Sequence, residues 1–254
     1  MTMDVKARLA EGKTKIVYAH PHDPVLAVVV HKDGITAGDG ARRNVIPGKG
    51  VLSGRTTSNV FALLAQAGIA THFVAAPTPD TMIVRRCTMI PLEVVTRRVA
   101  TGSYVRRHPD ISAGQRFDPP LIEFFLKDDA RHDPQIDLAT IVADNLASTA
   151  EVERMMITAQ QVFLTLEQAW QQLDVVLVDL KIEFGRDAVG ALLVADVIDN
   201  DSWRIWPQGD PQRMLDKQVY RNLTDVTEQA LEDIRQRYEQ VAALTDTWQV
   251  PHES

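Results

Sequence analysis

Residues 175–206, VVLVDLKIEFGRDAVGALLVADVIDNDSWRIW, constrain this chain most. The first half alternates with a period of two. Val178, Leu180, Ile182 and Phe184 face one way; Leu177, Asp179, Lys181 and Glu183 face the other. This predicts a strand with a wholly apolar face against a core. GRDAVG supplies a turn, and ALLVADVID predicts a return strand, apolar until Asp196 and ending in Asp199 and Asp201. The other face of the hairpin then displays a lysine and several carboxylates. Hard oxygens suit Mg²⁺ and an ammonium suits phosphate. That face reads as a metal-and-phosphate platform or as a solvated outer surface, and alternation alone favours the latter.

The rest of the chain must provide the core. At 254 residues it is one large domain or two tightly joined lobes, and 45% hydrophobic with 24% charged residues is ordinary for a soluble protein. A net charge of −7 argues against a nucleic-acid partner but leaves room for a local basic pocket that takes a phosphorylated small molecule. Cys87 is the only cysteine, which excludes an internal disulfide and a cysteine-rich zinc site. MTMDVKARLAEGKTK lacks the apolar stretch of a signal peptide, and no apolar run reaches membrane-spanning length. A cytoplasmic protein with no membrane partner is expected.

Along the chain, KIVY at 15–18 and the apolar run at 25–30 flank a His-Pro-His-Asp-Pro turn and predict an N-terminal hairpin. Gly12, Lys13 and Lys15 stand at its leading edge, where a glycine beside lysines admits a phosphate; a charged strand start is the alternative. Residues 35–50, ITAGDGARRNVIPGKG, predict an irregular loop around Asp39, Arg42 and Arg43. SNVFALLAQA at 58–67 predicts a helix stopped by Gly68. Strands follow over 71–98. Met89-Ile90-Pro91-Leu92 reads as an apolar corner between lobes, a suitable place for an adenine pocket. ATGSYVRRHPD places Arg97, Ser103 and further arginines near a glycine turn, suiting bidentate phosphate binding or forming a basic surface patch. PPLIEFFLKDDARHDP predicts a strand that delivers Lys127 and carboxylates at its tip; lone His132 lacks a second histidine at metal spacing. Two long helices are expected, over 148–173 with a Ser148/Glu151 capping box, and over 227–245. The element order predicts an α+β fold with mainly antiparallel sheets.

Taken together, GKTKIVY, TAGDGAR with IPGKG, IPLEVVTRRVATGS, PPLIEFFLKDDARHDP, LVDLKIEFG, and DNDSWRIW followed by LDKQVYR resemble one family. The chain is similar to phosphoribosylaminoimidazole-succinocarboxamide synthase, or SAICAR synthetase. ADVIDNDSWRIWP resembles the version in the bifunctional animal enzymes, without space here for their carboxylase domain. Val197 and Pro207 stand where the common bacterial pattern has carboxylates.

The resemblance implies a two-lobed fold, with a β-rich nucleotide lobe over 1–89 and a larger α/β substrate and metal lobe over 90–254. It implies ATP-dependent ligation of L-aspartate to carboxyaminoimidazole ribotide (CAIR), with ATP and Mg²⁺ as cofactors and a homo-oligomeric state. By position, Gly12, Lys13, Lys15 and Met89 match nucleotide contacts, and Glu183 and Asp196 match the Mg²⁺ ligands. Lys127 and Lys181 match lysines near the reacting groups. Arg97, Ser103 and Arg204 match ribotide contacts, while Asp39 and Arg42 match a loop facing the substrates. Asp199 and Asp201 take a secondary place. Two other classes remain to be distinguished: a phosphotransferase on a similar scaffold, which would act without aspartate, and a non-catalytic nucleotide-binding protein, which would have lost Lys181, Glu183 or Asp196.

Overall fold

The computed structural model describes residues 7–248 apart from Asp39. β-Branched runs build the first sheet. Strands β1 (Arg8–Glu11), β2 (Lys15–Ala19) and β3 (Leu26–His31) lie side by side. The expected hairpin is β2–β3, in register from Lys15 opposite His31 to Ala19 opposite Ala27. The expected loop over 35–50 is corrected. It contains a ribbon of β4 (Gly34–Ala37) and β5 (Arg42–Val45) and the start of a helix. Gly38 and Gly40, at φ 58° and 92°, lie in the turn of that ribbon, and the same glycines make the sequence read as a loop.

Helix α1 (Lys49–Gln66) begins at Lys49 rather than Ser58. Gly50 and Gly54 hide its first turns from a pattern reading, since glycine is a poor helix former. They are there for contact. A Cβ on Gly54 would sit 2.1 Å from the Pro79 carbonyl oxygen, and one on Gly50 2.9 Å from that of His31. Gly68, at φ 71°, follows the helix as expected. β6 (Phe73–Thr78) and β7 (Thr81–Arg85) complete the first sheet, in the order β1-β2-β3-β7-β6.

The chain then crosses to a second sheet through β8 (Thr88–Val99). No corner forms at Met89–Leu92. Pro91 is accommodated within the strand by a register shift against the central strand, where its missing N–H removes no ladder bond. Helix α2 (Gly102–Arg107), β9 (Arg116–Leu126), β10 (Gln135–Ile136), α3 (Leu138–Ala143) and α4 (Thr149–Gln171) follow. The predicted capping box is present: Ser148 accepts from the Glu151 N–H, and Glu151 accepts from the Ser148 N–H at 2.8 Å.

The central strand is β11 (Val175–Arg186), antiparallel to β8. The predicted two-stranded hairpin is half right. The return strand β12 (Leu192–Ala195) pairs with only the second half of β11 and stops before Asp196, whose φ of 68° is incompatible with a strand. The first half pairs with β13 (Trp203–Pro207), after the intervening loop. Every strand pairing between these elements is antiparallel, as the expected α+β class requires.

The even-numbered face of β11 is buried as predicted, with Val178, Leu180, Ile182 and Phe184 at 2% exposure or less. The odd face is not solvated either: Asp179 and Glu183 are 5% and 1% exposed. Helix α4 covers the sheet through Met155, Val162, Phe163, Leu166 and Trp170, and Trp170 packs edge-on against Trp203. Helices α5 (Gln218–Asn222) and α6 (Glu228–Asp246) end the described chain. α6 lies along α1, where Asn59 donates to Asp246 at 2.8 Å. The main core draws from both sheets, for example Val29 and Met82 from the first with Val94 and Ile182 from the second.

Candidate active site

The odd face of β11 looks onto two adjoining cavities between the sheets. The larger, about 550 Å³, is polar; the smaller, about 430 Å³, is mostly apolar. Gly12, Lys15, Lys127, Glu183 and Asp196 border both. The seam is therefore a cluster of ammoniums and carboxylates drawn from four places in the chain: the start of β2, the end of β9, the second half of β11 and the residue after β12.

Glu183 is the hub. Lys127 donates to its Oε2 at 2.6 Å and Lys181 to its Oε1 at 2.7 Å. Burial alone would raise its pKa, but Lys181, Lys127 and Lys15 overcome that and hold it at about 2. Lys181 also reaches Glu93 at 3.1 Å. Burial opposes its charge, yet Glu183 and Glu93 raise its pKa, so it stays an ammonium. Lys15 forms an ion pair with Asp196, and burial pulls its pKa down to about 8.

The far end of the larger cavity is an arginine–carboxylate lattice. Arg97 donates to Glu123 at 2.5 Å and to Asp179 at 2.9 Å. Arg204 also donates to Asp179, and Arg107 to Glu123. Asp179 thus orients two guanidiniums from neighbouring strands, as the register of β11 with Arg97 on one side and Arg204 on the other demands. Gly102, at φ 57°, lets the start of α2 approach this lattice; a Cβ there would fall 2.7 Å from Arg204 Nη2. Ser103 lines the cavity beside it.

Of the residues singled out in the sequence, Gly12, Lys13, Lys15, Arg97, Ser103, Lys127, Lys181, Glu183, Asp196 and Arg204 line the larger cavity. Met89 lines the smaller one, with Val17, Val29 and Val84. Arg42 lines neither. Its guanidinium donates to the Tyr220 carbonyl at 3.0 Å and lies over the Tyr220 ring, so it grips α5 from outside. Asp39 lies outside the described residues. Val197 lines the larger cavity as an apolar wall.

Glu93, Lys217 and Arg221 also line the larger cavity and escaped the sequence reading, while Asp179 and Asp201 were placed on the polar face and the return strand without a role in the site. Lys217 caps the start of α5 and Arg221 lies in its last turn, four residues apart and hence on one face. LDKQVYR carried their signal, but nothing local assigned the cations to a cavity. Asp201, first ranked as secondary, accepts from Lys217 at 3.1 Å and from the Tyr238 hydroxyl.

The chain as a whole is similar to known proteins. The synthase of Roseiflexus castenholzii, phosphoribosylaminoimidazole-succinocarboxamide synthase, is 68% identical over 246 residues, 97% of this chain and 99% of that protein. The crystal structure of the enzyme of that name from Ehrlichia chaffeensis matches with a TM-score of 0.86 at 30% identity, over 97% of this chain and 100% of the other. A SAICAR synthetase solved in complex with ADP matches with a TM-score of 0.81 at 33% identity, over 91% and 97% of the two chains. The sequence profile of the SAICAR synthetase family matches residues 8–238, and the chain belongs to that family.

Proposed function

We propose that this enzyme joins L-aspartate to the carboxylate of CAIR, driven by ATP, and releases SAICAR, ADP and phosphate. The observation that carries the reading is the seam: an apolar and a polar cavity meet at Lys15, Lys127, Glu183 and Asp196. A phosphoryl group passing from a nucleotide to a carboxylate needs such a junction. Family membership disfavours the phosphotransferase reading, because the match runs through both cavities.

In this reading, residues 1–89 form the nucleotide lobe, and the boundary falls at Met89, near the start of β8, just after the chain has left the first sheet. Adenine takes the apolar cavity beside Met89, and the phosphates run toward Gly12, Lys13 and Lys15. The related ADP complex supports nucleotide binding by this chain. Mg²⁺ fits the donor set. Glu183 and Asp196 border the same seam, and among the described residues no group of three or more His, Cys, Asp or Glu forms a closed metal cage. Mg²⁺ commonly takes one or two carboxylates and completes its shell with phosphate oxygens and water. Bound there, it would polarise the transferring phosphate.

The chemistry then follows from the residues. A ribotide carboxylate oxygen attacks the γ-phosphorus and ADP leaves, giving an acyl phosphate. Lys15, Lys127 and Lys181 offset the charge that gathers on the phosphate oxygens. The aspartate amine attacks the activated carbonyl, phosphate leaves and the amine proton is lost. Arg97, Ser103 and Arg204 hold the ribotide phosphate, with Asp179 fixing both guanidiniums. L-Aspartate carries two carboxylates, and Lys217 and Arg221 offer two cations on one face of the polar cavity. Asp39 belongs to the loop facing the substrates, and Arg42 supports the site through α5. A cytoplasmic homo-oligomer is part of the same proposal, which light scattering of the purified chain tests.

The deciding experiment measures phosphate release and SAICAR formation with Mg²⁺-ATP while each substrate is omitted in turn. Release should require CAIR and aspartate together. Transfer to an acceptor without aspartate would replace the ligase reading with the phosphotransferase one.

A further inference from the structure

The polar cavity is braced from behind by a lysine that does not line it. Lys49 opens α1, yet its side chain is 1% exposed. Its Nζ lies 3.8 Å from Asp201 Oδ2, 3.4 Å from Ser53 Oγ and 4.9 Å from the centre of the Tyr238 ring. A desolvated ammonium persists where an opposite charge and an aromatic face replace its water.

Asp201 is where these contacts converge. Its Oδ1 accepts from the Tyr238 hydroxyl, and its Oδ2 faces both Lys217 at 3.1 Å and Lys49. Its own N–H donates to Asp199 Oδ1 at 2.9 Å. Burial works against the Asp201 charge, and Lys49, Lys217 and the Tyr238 hydroxyl keep its pKa low. Asp201 and Lys217 line the cavity; Lys49 and Tyr238 do not. Two carboxylates, Asp199 and Asp201, are thus set against two ammoniums. Without Lys49, Asp201 either takes a proton and loosens its hold on Lys217, or draws that ammonium inward. Both outcomes move the Lys217 charge relative to the cavity.

We infer that Lys49 is a positioning residue: with Tyr238 it anchors Asp201, and through Asp201 it sets the Lys217 ammonium where a carboxylate of the amino-acid substrate docks. This rests on the reading that Lys217 and Arg221 receive L-aspartate.

Steady-state kinetics on Lys49→Met, Lys49→Arg, Tyr238→Phe and Lys217→Met test it. Lys49→Met keeps most of the side-chain volume and removes the charge. It should raise the KM for aspartate about tenfold or more, with the KM for ATP and CAIR and the saturated kcat within about twofold, since positioning losses of this kind reach such sizes. Lys49→Arg should recover part of the loss. Tyr238→Phe keeps the ring and should raise the aspartate KM by a smaller factor. An equal rise in all three KM values alongside a lower Tm would reduce Lys49 to a structural role and overturn the inference. If Lys49→Met does not fold, Tyr238→Phe carries the test, and an unchanged aspartate KM in it overturns the inference. A raised aspartate KM in Lys217→Met with an unchanged one in Lys49→Met overturns the role of Lys49 alone. An unchanged aspartate KM in Lys217→Met overturns the substrate-site reading and the inference with it.

Discussion

Lys127 Nζ stands 2.6 Å from Glu183 Oε2, so a half-exposed lysine at the end of β9 closes on a carboxylate buried in the centre of β11. Lys181 and Lys15 add to the same positive field, which holds the Glu183 pKa at about 2 despite its burial. A carboxylate kept charged in this way is ready to take a divalent cation when the lysines turn to phosphate oxygens. Glu183→Gln should therefore lower kcat by about 100-fold or more, the scale of losing one charge-stabilising group. Lys181 keeps Glu93 as a partner, so the fold should survive. Turnover and Tm measured on one preparation check both halves; unchanged turnover would remove Glu183 from the site.

Arg204 and Gly102 make a second test. Arg204→Ala should raise the CAIR KM by about ten- to a hundredfold, since a hydrogen bond to a charged group contributes about 1.5–3 kcal/mol. Gly102→Ala should act in the same direction without touching the guanidinium itself. Its methyl would lie 2.7 Å from Arg204 Nη2, on a backbone at φ 57° that disfavours any side chain. An unaltered CAIR KM in both variants would contradict the ribotide role.

Helix α1 predicts a stability effect. A methyl on Gly54 would meet the Pro79 carbonyl oxygen at 2.1 Å, and backbone cannot swing aside as a side-chain tip can. Gly54→Ala should destabilise by about 1–3 kcal/mol or more, the usual cost of overpacking, despite the better helix propensity of alanine. Chemical denaturation checks it, and a more stable variant would show that the helix can shift off the β6–β7 turn and the end of β3.

What the chain disclosed in advance follows from how local each signal is. The α4 capping box, the β2–β3 hairpin and the apolar face of β11 each depend on residues close in sequence, and each is present. The early start of α1 was hidden because Gly50 and Gly54 answer to His31 and Pro79, not to their own helix. The return strand ended early because β11 has two short partners on one edge, a tertiary fact absent from its alternation. The charged face of β11 read as solvated because its covering cations, Lys15 and Lys127, arrive from far along the chain. Lys217 and Arg221 were invisible as site residues for the same reason.

The N-terminus of α4 yields a pH prediction. Arg186 Nε donates to Glu151 Oε1 at 2.5 Å, and Glu151 also closes the capping box with Ser148. The Arg186 hydrogen bond and the Ser148 N–H hold its pKa at about 2, below the ordinary 4.5. The folded state therefore releases this proton more readily than the unfolded state does. Its stabilisation is complete above pH 4.5 and is lost as pH falls toward 2. At neutral pH, Glu151→Gln should cost about 1 kcal/mol, the scale of a helix cap plus a partly exposed ion pair. Near pH 1.5, below the folded-state pKa, the variant and the parent should converge. Urea midpoints at the two pH values decide it: a gap that stays constant would mean that the Arg186 pair and the cap charge add nothing to folding.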